Sequence, residues 1–126
     1  MSNILLVMIG GAIGSAARYL LGQAAFRALG PGWPWGTFAA NILGGLFMGL
    51  LVGWLAQRAA GGEPIRLFVA VGMLGGFTTF SSFSLETMLM IERGQWAPAL
   101  LYIVMSVLFA VGALALGLSI MRSATA

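Results

Sequence analysis

The chain has 126 residues, 60% hydrophobic and 7% charged, with six arginines against three glutamates and a formal charge of +3. Soluble domains carry roughly 25% charged residues, so this composition reads as a membrane protein. His, Cys, Asp and Lys are absent, which excludes thiolate or imidazole catalysis, disulfides and conventional zinc or haem ligation, so no enzyme activity is expected. The arginines stand singly and make no contiguous basic patch, so no nucleic-acid partner is expected either.

Charges and prolines divide the sequence into four apolar stretches, 4–25, 36–56, 67–91 and 97–121, each near the ~20 residues that cross a bilayer core. The residues ahead of the first stretch, Met1-Ser2-Asn3, lack the basic region of a cleavable signal, so the first stretch is predicted to be a membrane helix. The links are the Gly-, Pro- and Trp-rich run 30–35, the segment 57–66 and the short run 92–96. None is long enough for a second domain, so residues 1–126 form one transmembrane unit. Arg58, Arg66 and Arg122 fall on the side of the termini, against Arg27 and Arg93 on the other with Arg18 near that end. Loop arginines set orientation, and so even a balance favours a chain that inserts both ways and works as an antiparallel pair. Gly10 and Gly14, then Gly45, Gly49 and Gly53, then Gly72 and Gly76 repeat every four residues, the small-residue spacing of closely packed membrane helices.

In the first stretch, Arg18 either snorkels to the interface or marks an anion-gathering vestibule. In the second, Asn41 is the one amide in an apolar run; it can bond a neighbouring helix or donate to a dehydrating anion, with Thr37 four residues earlier on the same face. The third stretch holds Gly72-Met73-Leu74-Gly75-Gly76-Phe77-Thr78-Thr79-Phe80-Ser81-Ser82-Phe83-Ser84. Adjacent glycines, β-branched threonines and serines are poor helix material and can satisfy freed backbone groups. The prediction is a helix broken near mid-membrane, with a merely kinked helix as the alternative. Phe80 and Phe83, three apart, share a face; they pack against lipid or core, or their partially positive ring edges attract an anion without a fixed charge. Glu86 is the only acid expected at membrane depth. In the fourth stretch Tyr102 and Ser106 share a face and either extend a polar track or simply pack.

Taken together, Gly10 to Tyr19, the Trp-Gly-Thr-x-x-x-Asn run from Trp35 to Asn41 and the string from Gly75 to Ser84 resemble the Fluc (CrcB) fluoride channel family over nearly the whole chain. The resemblance implies a passive fluoride channel of the bacterial inner membrane that exports toxic fluoride, an antiparallel dual-topology homodimer with two pores. It implies a structural sodium ion at the dimer centre, held by the carbonyls of Gly75 and Thr78 from both copies. By motif position, Phe80, Phe83 and Asn41 line the fluoride pore, with Thr37, Ser82, Tyr102 and Ser106 along a polar route, Arg18 near the vestibule and Glu86 beside the path. Ala110, one turn past Ser106, departs from a continuing hydroxyl track.

Two rival classes make different demands. A small dual-topology multidrug exporter wants a mid-membrane carboxylate for proton coupling, a role only Glu86 can fill. A non-transporting membrane scaffold needs the glycine contacts alone.

Overall fold

The computed structural model describes residues 2–58 and 62–125, and its secondary structure is all-helical. Residues 59–61 of the second link lie outside the described residues. Helix α1 spans Asn3–Leu29 and starts on Ser2, whose hydroxyl accepts the Leu5 N–H at 3.3 Å. It runs to Leu29 rather than ending at residue 25. Arg27 does not end it, because its guanidinium folds back on Gln23 Oε1 at 3.4 Å, and the breaker is Gly30 at φ +78°, in the glycine-favoured region.

Helix α2 spans Trp35–Leu55 after Pro34. Helix α3, residues 63–77, begins earlier than the predicted 67 because Pro64 is accepted in a first turn, where its missing N–H costs nothing. Within α3, Arg66–Leu74 is wound as a π-helix, so that the Gly75 N–H reaches back five residues to the Ala70 carbonyl. Nothing in the composition of 66–74 anticipated this widening. Helix α4 spans Phe80–Glu92, and α5 runs Trp96–Thr125, past the predicted 121, with Arg122 in its last turn, where a cation is favoured. Among the described residues four stretches are long and apolar enough to cross a membrane: Asn3–Leu29, Trp35–Leu55, Glu63–Glu92 and Trp96–Ala124.

The glycine repeats lie where helices touch. α2 packs along α5 and α1 along α3. A Cβ on Gly45 would come 2.6 Å from the Ala110 carbonyl oxygen, and one on Gly117 would come 2.5 Å from that of Leu46. On the other pair, a Cβ on Gly76 would meet the Gly11 carbonyl oxygen at 2.6 Å, and one on Gly14 would collide with the Met73 carbonyl and lie 2.9 Å from the Phe77 nitrogen. Backbone cannot yield as a side-chain tip can, so Gly14→Val should destabilise the bundle by about 1–3 kcal/mol through overpacking. Gel filtration after detergent extraction reads this as a smaller folded fraction, and an unchanged profile would contradict the contact. Between α4, α5 and α2 a small core forms from Phe83, Met90, Ala99 and Tyr102, with Trp33, Phe38, Ile91 and Ile103 against it.

Candidate functional site

Between α3 and α4 the backbone of Thr78 and Thr79 is extended, at φ/ψ −85°/157° and −152°/120°. Each threonine closes one helix end. The Leu74 carbonyl accepts both the Thr78 N–H and the Thr78 hydroxyl, each at 3.0 Å. Thr79 Oγ1 accepts the Ser82 N–H at 3.1 Å, the N-cap geometry for which threonine is favoured. Ser84 and Thr87 then turn their hydroxyls back onto the carbonyls of Phe80 and Phe83, at 2.9 and 2.8 Å.

Two residues from other helices hold this junction. Asn41 of α2 accepts the Thr79 N–H on Oδ1 at 2.8 Å and donates from Nδ2 to the Thr79 carbonyl at 3.1 Å. Arg18 of α1 donates from Nε to the Gly76 carbonyl at 3.2 Å. In a continuous helix the Thr79 N–H would go to the Gly75 carbonyl, four residues back. Asn41 takes that donor instead, and among the described residues neither the Gly75 nor the Thr78 carbonyl accepts a backbone hydrogen bond outside regular helix. Freed carbonyls of this kind are the oxygen ligands that coordinate sodium at broken membrane helices, so the residues present fit the ion.

An aromatic row starts at the junction. Phe80 and Phe83 have ring centroids 5.5 Å apart, Phe83 and Tyr102 5.1 Å, and Tyr102 and Trp33 5.3 Å, the last pair edge-on at 82°. Exposure changes sharply along it: Phe80 is 78% exposed, whereas Tyr102 is fully buried.

Three grooves distribute the remaining candidates. One of about 410 Å³ is lined by Asn41, Thr78, Thr79, Phe80, Phe83 and Ser106, together with apolar residues that include Ala110; among the described residues no charged one lines it. A second, of about 300 Å³, holds Trp33, Thr37, Glu86 and Arg93 in its wall. The third, of about 410 Å³, includes Arg18, Tyr19, Gln23, Arg27 and again Thr37. Glu86 Oε1, Tyr102 Oη and Ser106 Oγ are buried without a hydrogen-bond partner among the described residues. Thr37, Glu86 and Tyr102 lie within electrostatic reach of one another, yet the Glu86 and Tyr102 oxygens just named lack a bond of good geometry. An unpartnered polar atom in a dry environment costs free energy, which a polar visitor would offset.

The structure thus gathers Asn41, Phe80, Phe83 and Ser106 in one place and Thr37 with Glu86 in another, with the Tyr102 ring between them. Arg18 stands apart, sharing only Thr37's groove. Ser82 is half-buried and is engaged here through its backbone N–H. Sequence reasoning missed Thr79 as a cap and Trp33 as a neighbour of Tyr102. The signal for the first was a Thr three residues ahead of a helical Ser; for the second there was none, since Trp33 reads equally well as a headgroup-level residue.

A bundle whose described residues hold four membrane-length apolar stretches, with a polar, aromatic groove between them, is a multi-pass membrane protein. The family described as "CrcB-like protein, Camphor Resistance (CrcB)" matches residues 5–118. The chain is 60% identical to the fluoride-specific ion channel FluC of Phenylobacterium zucineum over 123 residues, 97% of each chain. It is 55% identical to that of Sphingopyxis alaskensis over 122 residues, again 97% of each, and 54% identical to that of Caulobacter vibrioides. The chain belongs to the CrcB family.

Proposed function

We propose that this chain is a fluoride-specific passive ion channel that lets toxic fluoride leave the cytoplasm across the bacterial inner membrane. The observation that carries the reading is the uncharged groove of Asn41, Phe80, Phe83 and Ser106, flanked by polar atoms that lack partners. Fluoride holds its water tightly, so a pore must replace that water with donors while keeping every site weak enough to leave. Asn41 has one amide hydrogen left after its bond to Thr79, Ser106 and Tyr102 offer hydroxyl hydrogens, and the phenylalanine edges offer diffuse positive charge. A guanidinium within the groove would trap the ion; Arg18 instead sits at a neighbouring groove, where it gathers anions and anchors Gly76. The relatives named as fluoride channels over nearly the full length support the same ion.

The working unit in this reading is an antiparallel homodimer, in which the helix break lies near mid-membrane and two pores run beside the interface. Phe80, exposed at the edge of the junction in a single copy, then faces the second copy and its lipid-shielded groove. Sodium would be held by the carbonyls of Gly75 and Thr78 from both copies, where it offsets the negative ends of these dipoles and ties the two breaks together.

The test is ion efflux from liposomes that hold the purified protein. Fluoride should leave at a rate far above that of protein-free liposomes, with chloride near the leak rate. Folded protein that passes no fluoride would overturn the proposal.

A further inference from the structure

Tyr102 is completely buried and its hydroxyl has no hydrogen-bond partner among the described residues. A buried phenol is usually aimed by the bond its oxygen makes. Here neighbouring rings do the holding. Phe83 of α4 and Phe38 of α2 meet it tilted, at 5.1 and 6.3 Å and at 49° and 41°. Trp33 meets it edge-on, at 5.3 Å and 82°, the arrangement in which the positive edge of one ring faces the negative face of another. Trp33 belongs to no helix; it comes from the link between α1 and α2. That link is itself fixed, because the Trp35 N–H bonds the Trp33 carbonyl at 2.8 Å and the indole also stands edge-on to Phe38 at 6.0 Å and 81°. Trp33 also lines the groove of Thr37 and Glu86, the two polar residues within electrostatic reach of the Tyr102 hydroxyl.

We infer that Trp33 is a positioning residue for the anion route: its indole fixes the Tyr102 ring and thereby aims a hydroxyl that no hydrogen bond of good geometry aims. The inference rests on the channel reading above. A tryptophan in such a link can also serve as a headgroup anchor. An anchor acts without regard to the Tyr102 hydroxyl, whereas a positioning residue has no effect once that hydroxyl is gone.

The test is a cycle of W33L, Y102F and the double variant, read as fluoride efflux from liposomes with equal amounts of folded protein. W33L should slow efflux by about tenfold, the population ratio that one edge-on aromatic contact can hold. Y102F should slow it to a similar degree, and the double variant should be no slower than Y102F alone. W33F keeps a ring edge and should restore most of the rate. Multiplying effects in the double variant, wild-type efflux in W33L, or wild-type efflux in Y102F beside a slow W33L would each overturn the inference while leaving the channel intact. A wild-type protein that passes no fluoride overturns the channel reading and takes this inference with it. Should W33L aggregate on gel filtration, W33M enters the same cycle and is read the same way.

Discussion

Replacing Phe80 and Phe83 together by isoleucine is expected to lower fluoride efflux by about a hundredfold while the protein still reconstitutes. Isoleucine keeps most of the apolar bulk but has no ring edge, so the change removes the edge electrostatics at a smaller packing cost than alanine would. Each edge contributes up to about 1.4 kcal/mol to the passing ion, a factor of ten, and the two rings lie in one groove 5.5 Å apart. The two positions differ in their structural cost. Phe80 is largely exposed in a single copy, whereas Phe83 is 9% exposed and touches Tyr102, so Phe83→Ile also loosens the core of Met90, Ala99 and Tyr102. Phe80→Ile alone is therefore the cleaner probe of the anion path, and the double variant the larger effect. Efflux that stays at the wild-type rate in the double variant would mean that the rings only pack. A carboxylate-coupled exporter reverses the ranking, with Glu86→Gln the severe change.

The second large effect belongs to Asn41. Its side chain takes both backbone groups of Thr79, an N–H at 2.8 Å and a carbonyl at 3.1 Å, from a helix 38 residues away in sequence. Asn41→Leu leaves that N–H without a partner where water is scarce, a loss of about 1–3 kcal/mol. The freed donor would also be available to the Gly75 carbonyl, so the extended pair would tend to wind back into helix. We expect a melting temperature in detergent several degrees lower and fluoride efflux at the leak rate. Asn41→Asp separates the two roles, since its carboxylate still accepts the Thr79 N–H while placing a negative charge in the groove. It should retain more of the thermal stability than Asn41→Leu and yet conduct no better. Equal melting temperatures for wild type and Asn41→Leu would show that the clamp contributes nothing.

Much of this was readable from residue type and spacing. Length and hydropathy fix the number of spans, because a bilayer leaves few ways to hide a backbone. The four-residue glycine repeats found the helix contacts, because only Gly lets the carbonyls of Phe68 and Leu114 come as close as they do. The stretch rich in Gly, Thr and Ser contains the extended pair Thr78-Thr79, where local propensity and the capping hydroxyls agree. Helix ends were less legible: charges and prolines marked residue 25 and residue 66 as boundaries, but Arg27 and Arg66 each find a partner, Gln23 and Glu63, and stay helical. Partnerships between distant segments were not legible at all. Asn41 could be seen to be unusual, but not that Thr79 was its partner, and the edge-on contact of Trp33 with Tyr102 depends on a loop path that no periodicity encodes.

The wide winding of Arg66–Leu74 bears on bilayer thickness. Thirty residues of regular α-helix would reach about 45 Å, well beyond a hydrocarbon core of roughly 30 Å, whereas α2 covers its span with 21 residues. Hydrogen bonds that close over five residues put more chain into each unit of height, whereas the extended pair at 78–79 puts less. The turns Arg66–Leu74 therefore absorb some length internally, where a regular helix must tilt or protrude. The adjustment sits on the Arg66 side of α3. Thr78 and Thr79, clamped by Asn41 and flanked by Arg18's bond to Gly76, are tied instead to α1 and α2.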